Sequence, residues 1–270
     1  MSNKNLDSVI DRNPSDVFID ERHERVASYV KNDALQSAAK SFLDLSVEAK
    51  YSYNFEWLGR PIIQYPQDIL ALQEIVWKVR PDLIIETGVA HGGSLILSAS
   101  LLAILELTDA IEQKTTVDPR APTRHVIGID IDIRRHNRQA IEDHPLSNRI
   151  KLIEGSSVAK NIVEEVATYA TKATKVLVCL DSNHTHEHVL AELHAYAPLV
   201  TPGSYCIVFD TLVEEQPGDT YPDRPWGKGD NPLTAVREFL DTNKEFAVDE
   251  TIDNKLLVSV APNGFLLKSN

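Results

Sequence analysis

Cysteine is scarce in this chain of 270 residues: there are only Cys179 and Cys206, both inside apparent strands. Such a pair suits a reduced, cytosolic setting. No Lys/Arg cluster interrupts a net charge of −13, so neither nucleic acid nor an anionic membrane surface is an expected partner. The longest apolar run, residues 95–107, is short and interrupted, which argues against a membrane span. The opening stretch MSNKNLDSVIDRNPSD has no apolar core and does not read as a signal peptide. No internal repeat is present. With 43% hydrophobic and 25% charged residues, the length fits one large soluble, cytoplasmic α/β domain with a substantial core.

The most informative stretch is PDLIIETGVAHGGS, residues 81–94. It reads as a short buried strand (83–85), then Glu86, then a turn with Gly88, Gly92 and Gly93 ahead of an apolar helix over 95–107. Glycines between strand and helix let the backbone approach a ligand, and the helix start offers free N–H groups there. A carboxylate just before the first glycine repels a pyrophosphate and suits a cationic or hydroxyl-bearing cofactor.

Upstream, residues 1–56 are polar, with helical patterns at 20–29 and 34–45, and read as an N-terminal cap or oligomerisation arm. The main domain is expected over 57–270. Pro66 opens a helix with one buried face, expected to be carried by Ile69, Leu70, Leu72, Ile75, Val76 and Val79. Strands and helices then alternate. Strands are expected at 125–130, 149–154, 175–181 and 204–210, with helices at 134–142, 158–170, 185–196 and 232–241. Two closing strands fall at 245–249 and 255–261. Residues 108–124 read as a polar surface insertion and 211–231 as a long loop rich in Pro, Gly and charge. The alternation implies a mostly parallel sheet covered on both faces.

Four of these strands end in an acid: Glu86, Asp130, Asp181 and Asp210. Parallel connections bring such ends to one rim, where open α/β sheets bind ligands. Asp130 stands where a carboxylate accepts from the hydroxyls of an adenosine ribose, and Asp132 is a weaker candidate for the same task. Ser156 and Ser157 read equally as adenine contacts and as ordinary helix caps. A nicotinamide dinucleotide fits poorly, because the loop reads Gly88-x-Ala90-x-x-Gly93 and the ribose acid lies far downstream. Asp181, Asp210 and the hydroxyl of Thr211 are hard oxygen donors suited to Mg²⁺. His184 is placed to act as general base. The run His184-Thr-His186-Glu-His188 also invites a zinc reading, but it lacks the H-E-x-x-H order, and His186 and His188 are expected to be solvated.

The motifs IIETGVAHGGS, VIGIDID, LDSNHTHEHVLAELHAYAPLVTPGSY, FDT and RPWGKGDNP resemble the cephalosporin hydroxylase and rhamnosyl O-methyltransferase family over roughly residues 57–268. The resemblance implies a Rossmann-like class I methyltransferase fold with a mostly parallel seven-stranded sheet. It also implies S-adenosylmethionine, often with Mg²⁺, and O-methylation of a sugar or secondary metabolite. By that resemblance Glu86 and Gly88 flank the methionine part of the cofactor, and Asp130 its ribose. His91, Gly92, Ser94, Asp132, Ser156, Ser157 and Asp181 are the further candidate cofactor-binding residues. Asp181 and Asp210 then hold the metal, as in catechol-type enzymes, with the base three residues after the first acid. One departure stands out: Phe209 occupies the place where many relatives carry a second acid.

Residues 212–231, with Tyr221, Arg224, Trp226 and Lys228, are expected to fold over a small-molecule hydroxyl acceptor as a lid. Trp226 suits stacking on a ring or simply pinning the loop. A homo-oligomer is expected. No iron-oxygenase signature is present, so hydroxylation is disfavoured. A cofactor-binding subunit that has lost catalysis remains the alternative, with a nicotinamide oxidoreductase a more distant one.

Overall fold

The computed structural model describes residues 13–218 and 220–270. Two helices come first, α1 (Pro14–Tyr29) and α2 (Asp33–Glu48), each capped by an asparagine side chain, Asn13 and Asn32. They lie against the rest of the molecule. Leu43 of α2 enters the core, and Ser46 Oγ meets the Tyr65 hydroxyl at 2.6 Å.

A two-stranded hairpin follows, β1 (Phe55–Trp57) and β2 (Arg60–Ile62), which sequence patterning did not reveal because each strand has three residues. Its Pro61 carbonyl rests directly on Gly93, where any side chain would collide. Next come α3 (Pro66–Val79), β3 (Leu83–Thr87) and α4 (Gly93–Gln113). The alternation continues with β4 (His125–Asp130), α5 (Arg135–Glu142), β5 (Ile150–Glu154), α6 (Lys160–Ala170), β6 (Val176–Leu180), α7 (His186–Tyr196) and β7 (Tyr205–Val208). The chain closes with α8 (Pro232–Thr242), β8 (Phe246–Val248), α9 (Glu250–Leu256) and β9 (Phe265–Lys268).

The main sheet has seven strands in the order β5-β4-β3-β6-β7-β9-β8. The first five are parallel, and β9 runs antiparallel to both β7 and β8. From β3 the chain winds outward through β4 and β5, then returns to place β6 and β7 on the other side. The switch point therefore lies between β3 and β6, the place where such sheets leave a crevice.

Strand alternation divides the core into two. Ile84, Leu177, Cys179 and Ile207 face α3, α4 and α5, whereas Ile85, Val178, Leu180 and Val208 face α6, α7 and α8.

Three expectations need correction. Residues 255–261 are not a strand. Lys255 and Leu256 end α9, and residues 257–261 run irregularly, held by the buried Asp68, which accepts from Ser259 Oγ at 2.6 Å and the Val260 N–H at 2.9 Å. The closing strand is β9 instead. The helix after the glycine turn is also longer than expected, with 21 residues. Its mean hydropathy of 1.8 and its length meet the requirement for a membrane span, so shortness does not exclude one. Its packing gives it another task, because Leu95, Leu97, Leu101, Leu102 and Leu105 lie in the core. Finally, the expected polar insertion begins as the last turns of α4, where Glu106 pairs with Arg149, and Asp109 with Arg80 and Arg124.

Candidate active site

Strand register sets the depth of each acid. Thr87 pairs with both Ile129 and Leu180, so Gly88, Asp130 and Asp181 leave the sheet at one level. Glu86 pairs with Gly128 and Cys179 and lies deeper, inside the sheet. The four acids therefore do not share one rim level. Gly88 has φ +88°, and a Cβ there would overlap the Asp181 carbonyl oxygen, so the turn after β3 must be glycine to pass over the end of β6.

Asp181 and Asp210 meet although they leave their strands at different levels. Val208 pairs with Leu180, so continued extension would carry Asp210 past Asp181. Asp210 instead adopts left-handed backbone angles, φ 55° and ψ 20°, and its carboxylate lies beside that of Asp181. Burial first, then the neighbouring Asp210 and Glu86 carboxylates, push the Asp181 carboxyl well above the usual range. His184 completes the group, its Nε2 3.4 Å from Asp210 Oδ2. One ligand atom from each of Asp181, His184 and Asp210 lies within 4.8 Å of the others. Two carboxylates so arranged, with an imidazole beside them, fit a divalent cation held by the acids, which relieves the repulsion between them.

Thr211 departs from expectation. The turn at Asp210 sends it inward, where it is fully buried and donates its hydroxyl to the Pro262 carbonyl at 2.7 Å, away from the acids. The zinc reading of the histidine run also fails, because the three imidazoles go to different partners. His186 takes Thr234 at 2.8 Å and Glu238 at 3.1 Å. His188 reaches Ser157 at 3.1 Å, Ser182 at 3.3 Å and the fully buried Glu192 at 3.4 Å. Neither is a solvated first-turn residue.

Around the glycine turn, Asp130 accepts from the Val89 N–H at 2.8 Å and the Asp132 N–H at 3.1 Å. Two carboxylate oxygens offer about four acceptor sites, so capacity remains for ribose hydroxyls. Asp132 itself is exposed and contributes only its backbone. The His91 carbonyl holds Arg60, and Gly92 caps α4 in the left-handed region. Ser98 donates its hydroxyl to Glu86, and Ser94 lies nearby. Burial outweighs the serine hydroxyls and raises the Glu86 carboxyl to about 7. Ser157 is buried, with its carbonyl accepting from the Tyr196 hydroxyl at 2.6 Å, while Ser156 is half-buried beside it.

The loop after β7 closes over the acids. Trp226 lies edge-on to His184 with ring centroids 4.8 Å apart, and the Arg224 guanidinium sits 5.2 Å from the Trp226 ring centre. Burial, with Asp210 nearby, pushes the Tyr221 phenol up to about 12. Lys228 is exposed. Glu214 ties the two ends of the loop, accepting from the Gly229 N–H at 2.8 Å and Asn231 Nδ2 at 2.6 Å.

Sequence reasoning missed Gln64, just ahead of α3, and Asp68, in its first turn. Both line a small cavity with Glu86, Ser94, Asp181 and Phe209. Their only sequence signal is position, at the start of the helix that feeds β3.

Comparison with known proteins identifies the family and the fold. Rhamnosyl O-methyltransferase of Mycobacterium tuberculosis is 27% identical over 208 residues, 75% of this chain and 73% of its own. That of Mycobacterium leprae is 28% identical over 217 residues, 78% of this chain and 82% of its own. A CmcI structure described with Mg and SAM superposes with a TM-score of 0.52 at 19% identity, covering 81% of this chain and 78% of that one, and so shares the fold. The family model for Rhamnosyl O-methyltransferase/CmcI matches residues 49–269, and the chain belongs to that family.

Proposed function

We propose that this protein is an S-adenosylmethionine-dependent O-methyltransferase that methylates a hydroxyl of a sugar-type or other small-molecule acceptor, assisted by Mg²⁺. The observation that carries this reading is the Asp181–His184–Asp210 cluster at the switch point, roofed by Trp226. The mycobacterial relatives' names, and the Mg and SAM recorded with CmcI, support it.

Asp181 and Asp210 would hold the cation, with His184 beside them. When bound, the cation lowers the pKa of an acceptor hydroxyl and stabilises the oxyanion that forms. The remaining steps belong to this chain. Glu86 and the turn at Gly88 receive the cationic end of the methyl donor, and Asp130 its ribose. His184 Nε2 takes the acceptor proton, its ring fixed between Asp210 and Trp226. The freed oxygen then attacks the methyl carbon in line with the sulfur; the C–S bond breaks as the O–C bond forms, and the electron pair stays on sulfur. Positioning of the two partners supplies much of the acceleration. Trp226, Tyr221 and Arg224 exclude water above the acceptor.

The test is transfer of labelled methyl from S-adenosylmethionine to a panel of rhamnosyl glycosides and phenols. Transfer to at least one acceptor by the wild type, abolished in Asp181→Asn, supports the reading. Tight cofactor binding without transfer to any acceptor favours the non-catalytic subunit instead.

A further inference from the structure

The outer sides of α3 and α4 carry an apolar face that the described residues leave in water. On α3, Leu70 and Trp77 stand seven positions apart; on α4, Ile104, Leu107 and Ile111 follow at steps of three and four, so each set keeps to one side of its helix. All five side chains are between 47% and 67% exposed. Arg80 joins the two sets: its guanidinium lies 5.2 Å from the Trp77 ring centre and pairs with Asp109, within the 104–111 stretch of α4. The same side of α4 is covered nearer its start. There Pro61 rests on Gly93, and Trp57 Nε1 donates to Ser100 Oγ at 3.0 Å. The hairpin ends its cover at Ser100, one turn before Ile104.

Spacing, charge and area point to the same occupant, a second copy of this chain. Steps of three and four read as four and three in reverse, so on an antiparallel copy Ile104 faces Ile111 and Leu107 meets Leu107 at a two-fold axis. With a net charge of −13, two copies repel over most of their surface. Beside this face the acids are neutralised within the chain: Glu106 pairs with Arg149, Asp109 with Arg80 and Arg124, and Glu74 with Lys255. Glu112 lies at the solvent-facing edge. An anionic lipid surface is a poor alternative, because it calls for a basic rim that this acidic chain does not offer. The five side chains expose on the order of 500 Å² per copy, so two such faces hide about 1,000 Å², the size a specific interface requires.

We infer that the α3–α4 face joins two copies of this chain through an antiparallel α4–α4 seam centred on Leu107, with Trp77 and Leu70 flanking it. Leu107 lies about 20 Å along α4 from Gly93, so the paired copies leave the glycine turn and the acid cluster open to ligands. The inference goes beyond methyl transfer and does not depend on it.

Sedimentation equilibrium of the full chain tests it. At about 100 μM, well above the micromolar Kd that suits an interface of this size, the wild type is expected at twice the 30.1 kDa of one chain. Leu107→Lys changes an exposed position and sets two ammonium groups against each other at the axis. It is expected to weaken association by about tenfold or more, while the dilute variant melts within about 2 °C of the wild type. A second variant needs no loss of function: Leu107→Cys brings two thiols within disulfide range and is expected to cross-link two copies under air. The natural cysteines, Cys179 and Cys206, are buried, and Leu45→Cys on the exposed side of α2 is the control. A wild type that stays at 30.1 kDa overturns the inference, and vesicle binding by that monomer would assign the face to lipid. A dimer that Leu107→Lys leaves intact, or a Leu107→Cys that cross-links no faster than the control, overturns it as well.

Discussion

His184 Nε2 stands 3.4 Å from Asp210 Oδ2, with its ring held edge-on by Trp226. The imidazole is thus oriented by a carboxylate on one side and an indole on the other, the arrangement of a base poised over a cation site. His184→Ala is expected to lower methyl transfer by about 10²–10⁴-fold, while S-adenosylhomocysteine affinity stays within about twofold. Paired kinetic and calorimetric measurements check this. A comparable loss in both would make His184 a structural residue.

Asp181 and Asp210 lie together in a site where burial and mutual repulsion raise the Asp181 carboxyl. Metal binding must displace the proton that this raised carboxyl holds, so Mn²⁺ affinity, read by electron paramagnetic resonance, rises with pH. Asp210→Asn removes the repulsion. It is expected to raise the melting temperature of the metal-free protein by a few degrees, an effect of about 1 kcal/mol, while weakening Mn²⁺ binding at least tenfold. A variant that melts lower and binds Mn²⁺ unchanged would contradict the assignment of these acids as ligands.

Glu86 and Asp68 are buried carboxyls raised to about 7, well above their unfolded values near 4. Each binds its proton more tightly folded than unfolded, so its stabilising contribution is full below about pH 4 and is lost as pH rises through about 7. The ligand-free protein is therefore expected to melt at a lower temperature at pH 8 than at pH 5.5. Glu86→Gln reduces that difference, each pKa unit removed being worth about 1.4 kcal/mol at most. Calorimetric melting across this range decides it. A melting temperature that climbs with pH, unaltered in Glu86→Gln, would show that these carboxyls are ionised in the fold.

Gly88 lies at φ +88° directly against the Asp181 carbonyl. Gly88→Ala is expected to cost about 1–3 kcal/mol of stability and to abolish S-adenosylhomocysteine binding, since the turn must lift away from β6. Retained binding with an unchanged melting curve would mean that the turn tolerates a side chain and does not cradle the ligand.

Much of this was legible in the sequence because the relevant signals are local. Residues 83–85 and 125–130 read as strands from their runs of branched residues, and residues 66–79 read as a helix from the spacing of Leu72, Ile75, Val76 and Val79 after Pro66. Asp181 and Asp210 stood out as acids at strand ends, and His184 as the imidazole three residues after the first of them. What stayed hidden depends on contacts distant in sequence. Residues 257–261 (LVSVA) have every mark of a strand, yet Asp68, some 190 positions earlier, ties them down outside the sheet. Thr211 looked like a ligand until the left-handed turn at Asp210 sent it to Pro262. Gln64 carries no motif at all, and only burial beside Glu86 gives it meaning.

The central claim is that the switch-point crevice takes S-adenosylmethionine together with a divalent cation. Calorimetric titration of S-adenosylmethionine and of NAD⁺ into the wild type, each with and without Mg²⁺, tests it most directly. The account predicts micromolar binding of S-adenosylmethionine and no binding of NAD⁺. Absence of S-adenosylmethionine binding under every condition, or tight NAD⁺ binding, would contradict it and leave Asp130, Asp181 and Asp210 as structural caps.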